Sequence, residues 1–134
     1  DSKTFIEMNN KIFKFIKSTF KNYNKNKYIS IDAVESLGST ILPMVISRLK
    51  KRFSSYTINL NAIDCCTKSN LLNNLCDIFI CYSKSDNHQG LTSKLIGSDE
   101  IVLVADKSLP INSIKKEELL NLPLILSNNF LINF

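Results

Sequence analysis

YISIDAVESLGSTILP, residues 28–43, decides the reading of this chain. Tyr28 to Asp32 reads as a strand, a loop of small and polar residues follows, and Leu42, Val45, Ile46, Leu49 and Phe53 then recur at helical spacing. A strand that enters a helix through a polar loop builds the carboxyl edge of an α/β sheet, where loop hydroxyls and the N–H groups of the helix start converge on a crevice. Function is therefore expected around Val34, Glu35 and Ser36.

Downstream, Tyr56 to Ile63 (YTINLNAI) alternates apolar and polar residues as a second strand. Residues 67–75 (TKSNLLNNL) predict a short helix that buries Leu71, Leu72 and Leu75. Residues 77–82 (DIFICY) form a nearly continuous apolar run, the pattern of a strand covered on both faces. This order implies right-handed crossovers and a mainly parallel sheet. After a polar loop at 84–90, residues 91–96 and 100–105 are two further strand candidates. Ser113 is expected to cap a helix that carries Glu117 and Glu118 near its start and buries Leu119, Leu120 and Leu122, and Leu124 to Ser127 begins one more strand.

Upstream, residues 3–23 have helical periodicity, with Phe5, Met8, Ile12, Phe15 and Ile16 on one side and Phe13, Phe20 and Tyr23 widening the stripe. Three readings fit such a helix: packing on its own domain, self-association through the heptad-like spacing of Phe5, Met8, Ile12 and Phe15, or adsorption of a lysine-rich face to a membrane surface. The polar run NYNKNK, residues 22–27, separates it from the strand that starts at Tyr28.

With 134 residues, 44% of them hydrophobic, the chain has the material for one ordinary core. No run approaches the roughly 18 apolar residues of a membrane span, and the first residues lack the apolar centre of a signal peptide, so a soluble, cytoplasmic chain is expected. The net charge of +5 is concentrated in residues 1–27, where seven lysines stand against Asp1 and Glu7, while ten basic and ten acidic groups cancel over residues 28–134. The globular part thus lacks the overall basic footprint of a nucleic-acid binder. Cys65, Cys66, Cys76 and Cys81 lack paired CxxC spacing, and three glycines leave little room for a phosphate-binding loop, so neither a metal nor a cofactor is expected. Cys65 is a candidate redox-sensitive thiol, and His88, the one histidine, has no partner legible in the sequence.

In their order and spacing, YISIDAVESLGSTILPMVISRLKKRF, LLNNLCDIFICY, LIGSDEIVLVADKSLP and EELLNLPLIL resemble the effector-binding domain of LysR-type transcriptional regulators, over about three quarters of the chain. The resemblance implies an α/β, periplasmic-binding-protein-like lobe with a mainly parallel sheet flanked by helices. It implies that residues 1–27 are the linker and dimerisation helix, residues 28–112 the first regulatory lobe, and residues 113–134 the crossing helix and first strand of a truncated second lobe. DNA would be read only by a winged helix-turn-helix that precedes the linker and is absent here. Asn74 stands where the family commonly has glycine, and asparagine is the usual substitute for a left-handed backbone.

Carried over by position, the first-lobe contacts to a small-molecule effector are Val34, Glu35 and Ser36, then Asp64 and Cys65, with Tyr82 and Ser83 at the end of the third strand. For Ser36 a physical argument stands beside the resemblance, because a hydroxyl at a helix start holds an anion or caps the helix; Ser39 and Thr40 could cap it instead. Glu35 and Asp64 would repel an anionic effector unless they point away, which leaves a neutral or cationic effector, or two solvated loop acids. The partners implied are the effector and further copies of the chain, as homodimer or homotetramer, and no membrane. A solute-binding protein of transport shares the two-lobed fold and is the alternative. An enzyme on this scaffold would need a convergent acid, base and nucleophile, which the sequence lacks.

Overall fold

The structure, a computed structural model, describes residues 2–22, 27–63, 69–82, 90–98 and 104–125. Helix α1 spans Ser2–Asn22 and is followed by strand β1, Tyr28–Val34. One helical turn, α2 (Glu35–Gly38), then precedes α3 (Ile41–Arg52). Next come strand β2 (Thr57–Ile63), the short helix α4 (Ser69–Leu72) and strand β3 (Ile78–Ile80).

The sheet order is β2-β1-β3, and both pairings are parallel. The order follows from right-handed crossovers that place β2 and β3 on either side of β1. Because side chains alternate along a strand, Ile29, Ile31 and Ala33 share one face of β1, and Ser30 and Asp32 occupy the other. The first set joins Ile58 of β2, Ile78 and Ile80 of β3, the α3 stripe Leu42, Val45 and Leu49, and Ile12, Ile16 and Phe20 of α1 in one core.

The expected helix is present as α3, and the expected loop before it contains the additional turn α2. Ser39 N–H and Ser39 Oγ both donate to the Glu35 carbonyl, at 2.9 and 2.7 Å, and Thr40 Oγ1 donates to the Ser36 carbonyl. These hydroxyls satisfy the carbonyls at the end of α2 and cap no N–H group of α3. Pro43 falls in the first turn of α3, where its missing N–H costs nothing.

Helix α1 packs on α3 of its own chain, which takes Ile12 and Ile16 out of the expected intersubunit seam: both are fully buried. Phe20 stacks on Tyr56 at 4.8 Å between centroids and meets the edge of Phe53 at 5.0 Å. Near the middle of the helix, Arg48 of α3 donates through Nη1 to Asn9 Oδ1 (2.7 Å) and Asn10 Oδ1 (3.0 Å), with its guanidinium 4.1 Å from the Phe13 ring centroid. Met8 lies against Gly97, where an added Cβ would come within 2.9 Å of Met8 Cε. Phe5 and Ile6 remain exposed.

Asn74 has φ = 59°, so the left-handed backbone expected from its place in the turn before β3 is present. Asn74→Ala should lower the unfolding free energy by about 1 kcal/mol, while Asn74→Gly should leave it unchanged or slightly higher. Urea titration of the two variants checks this. Equal stability of the alanine and glycine variants would contradict it.

One strand expectation is corrected, and a second, at 100–105, lies mostly outside the described residues. Residues 91–96 have no strand structure, since their apolar residues Leu91, Leu95 and Ile96 have neither strand nor helix period, and Leu95 is exposed while Ile96 packs on the core. Val104 and Ala105 are also irregular, and residues 99–103 lie outside the described residues.

The chain divides into two compact units, residues 1–97 and residues 98–134. In the second, two 3-10 segments, Ile111–Ser113 and Lys116–Asn121, stand where an α-helix was expected. Ser113 caps no helix; its Oγ donates to the Pro110 carbonyl at 2.9 Å, and Glu118 Oε2 accepts from Lys115 N–H at 3.4 Å. Leu124 and Ile125 are irregular, with residues 126–127 outside the described set. Asp106 Oδ1 accepts from both the hydroxyl and the amide of Ser108, which hold its carboxyl below the usual range.

Candidate functional site

The parallel register aligns the carboxyl ends of the strands. Val34 pairs with Ile63, the last residue of β2, and Ala33 pairs with Ile80, the last residue of β3. The strands thus end at Val34, Ile63 and Ile80 along one edge. Glu35 and Ser36 open α2 at that edge, and Tyr82 is half-buried two residues beyond β3, packed against the core. Asp64, Cys65 and Ser83 lie outside the described residues, as do Cys66 and His88.

The three described residues of the first loop have different surroundings. Val34 is fully buried, so its side chain belongs to the core and only its backbone faces the edge, a correction to its expected role. Glu35 is exposed in the first turn of α2, where a carboxylate is favoured by the helix dipole. Ser36 is exposed, and its hydroxyl makes no hydrogen bond among the described residues. No side chain caps α2. Ser39 and Thr40 donate to backbone carbonyls, so among the described residues Ser36 is the hydroxyl without such a bond at this helix start.

Beneath the edge lies a group that the sequence pattern did not single out. Asp32, 2% exposed, accepts from Asn61 Nδ2 at 3.1 Å and from Asn70 Nδ2 at 3.0 Å. The Cys76 thiol adjoins the same carboxylate, and burial together with that negative charge pushes its pKa up to about 11. Cys76 is therefore a protonated, buried thiol. Just before β3 Asp77 repeats the device: its Oδ2 accepts from Ser30 N–H, and its own N–H donates to the Ser30 carbonyl, both at 2.9 Å. The signal for Asp32 was an acid inside an apolar strand, with Asn61 directly opposite in register.

These carboxylates bind protein amides, and no group of three or more His, Cys, Asp or Glu able to hold a metal occurs among the described residues. A shallow groove also runs between α3 and β2, walled by Pro43, Ile46, Ile58 and Leu60 and flanked by Lys50 and Lys51. It includes none of the expected site residues.

Residues 25–131 match the family model described as the LysR substrate binding domain. The chain belongs to that family. Comparison with curated proteins and with solved structures gives no match. Membership fixes the architecture as a periplasmic-binding-protein-like α/β lobe, in agreement with the parallel sheet, and the general role as a regulatory, ligand-sensing domain. In this LysR substrate-binding domain no helix among the described residues is long and apolar enough to cross a membrane.

Proposed function

We propose that this chain is the sensing part of a LysR-type DNA-binding transcriptional regulator that acts in the cytoplasm, and that its effector binds where β1, β2 and β3 end. The observation that carries the reading is the family match over residues 25–131. The aligned strand ends and the available Ser36 hydroxyl support the location. Val34, Glu35 and Ser36 with Asp64, Cys65, Tyr82 and Ser83 form the effector edge, Val34 through its backbone. Residues 1–27 are the linker helix through which the chain self-associates, residues 28–112 the first lobe, and residues 113–134 the crossing into a second. DNA contact resides in a separate domain of the full-length regulator, and the chain carries no enzymatic activity.

Held by residues 28–112 alone, an effector would be incompletely buried, and the affinity of that portion should be millimolar, on the order of 4 kcal/mol. NMR shift mapping with a panel of neutral, cationic and carboxylate metabolites tests the site, which predicts shifts clustered on residues 34–36 and 82. In a two-lobed version of the protein, Ser36→Ala should weaken binding of the metabolite so found by about 1 kcal/mol, as for loss of one buried hydrogen bond. Shifts confined to the α3–β2 groove, or unchanged binding by Ser36→Ala, would place the site elsewhere.

A further inference from the structure

The stripe that would pair two copies of α1 is already in use. Ile12 and Ile16 are fully buried against the chain's own core, and Phe20 is 2% exposed between Phe53 and Tyr56. A helix face packed in one contact is closed to another partner. The contact that closes it includes a polar group, Arg48, unlike the apolar rest of the interface. Among the described residues the partners of Arg48 are Asn9, Asn10 and the Phe13 ring, all neutral. Arg48 itself is exposed, so the clamp lies at the rim, where water competes for it. Hydrogen bonds from a guanidinium to neutral amides are weaker than those to carboxylates, so this clamp opens more readily than a buried ion pair.

We propose that the packing of α1 on α3 is an autoinhibitory latch that competes with self-association, and that Arg48 holds it closed. In the latched state α1 offers a second copy only Phe5, Ile6 and the outer sides of Met8 and Phe15. In the open state the whole heptad-like row Phe5, Met8, Ile12 and Phe15 becomes available, and its occupant is α1 of a second copy, because that spacing presents one continuous seam over residues 5–15 of the 21-residue helix. The inference rests on the reading of α1 as the self-association helix. Competition of this kind has a simple signature: apparent affinity falls with the fraction of molecules in the competent state, and a dimer needs two competent copies. A threefold rise in the open fraction therefore tightens dimerisation about tenfold.

The test compares sedimentation equilibrium of the full chain with that of Arg48→Met, which keeps a long apolar stem and removes the donors. The expected result is a dimer dissociation constant at least about tenfold lower for Arg48→Met. Alongside it, amide hydrogen exchange at low concentration should show faster exchange of residues 12–20 in the variant and unchanged exchange of β1. Arg48→Lys, which retains charge without the planar fork, should fall between the two and serves if the methionine variant does not fold. Self-association of the parent with an equal or weaker constant in both Arg48 variants overturns the latch while leaving the self-association reading intact. A monomer at high micromolar concentration in parent and variants alike overturns that reading and the latch with it.

Discussion

Phe20→Ala should lower the unfolding free energy by about 3–5 kcal/mol, the range for removal of a buried aromatic side chain. Phe20 is 2% exposed and contacts two rings at once, stacked on Tyr56 and edge-on to Phe53. Those rings also meet each other at 5.8 Å, so the alanine variant leaves a cavity bordered by two large side chains that cannot both collapse into it. Phe20→Leu, which restores most of the volume without the ring geometry, should recover more than half of the loss. Chemical denaturation measured by circular dichroism distinguishes these outcomes. A loss below about 1 kcal/mol for Phe20→Ala would mean that α1 contributes little to the folded state in solution.

Asp32→Ala should cost about 2–3 kcal/mol, because it removes the shared acceptor of Asn61 and Asn70 and leaves neither amide tied to β1. The thiol of Cys76 provides an independent readout. Its pKa of about 11 reflects burial first and the Asp32 carboxylate next, so deleting the negative charge lowers it toward the ordinary 9.0 while burial keeps it above that value. At pH 9, Asp32→Asn should therefore raise the rate of Cys76 alkylation by iodoacetamide several-fold over the parent, followed by mass spectrometry of the peptide that contains it. A stability loss without faster alkylation would place the thiol outside the influence of Asp32.

The strands β1 and β2 and helix α3 were legible in the sequence because their signals are local, whereas the expected burial of Leu72 and Leu75, in and just beyond α4, is overturned, since both are exposed. The strand at Tyr28 extends two residues beyond the expected Asp32, to Val34, and the α3 stripe is buried at Leu42, Val45 and Leu49 as its spacing required. The left-handed Asn74 was readable because the conformation excludes most other residues. What escaped depended on distant partners. Asp32 alternates with isoleucines, which suggests a solvent-facing position; its burial rests on Asn61 and Asn70, 29 and 38 residues away. Ile12 and Ile16 read equally well as an intersubunit seam or an intramolecular one, and periodicity alone does not distinguish the surfaces on which one stripe can pack. At the candidate site, residues 34–36 were located from the strand and helix around them, but they were expected in a loop, whereas Val34 ends β1 and is buried there.

The central place of β1 between two later strands also bears on synthesis. Ser30 meets Asp77, the residue just before β3, only after 47 further residues, which a ribosome adds in about 2–10 s at 5–20 residues per second. Throughout that interval YISIDAV has an open edge and the β-branched, apolar composition of an aggregating segment. The aspartate in its middle interrupts that run with a full negative charge while the strand is unpaired, and then withdraws into the Asn61 and Asn70 amides once the lobe closes. An apolar replacement of Asp32 would therefore remove both the charge that interrupts the unpaired strand and the acceptor that ties Asn61 and Asn70 to the folded one.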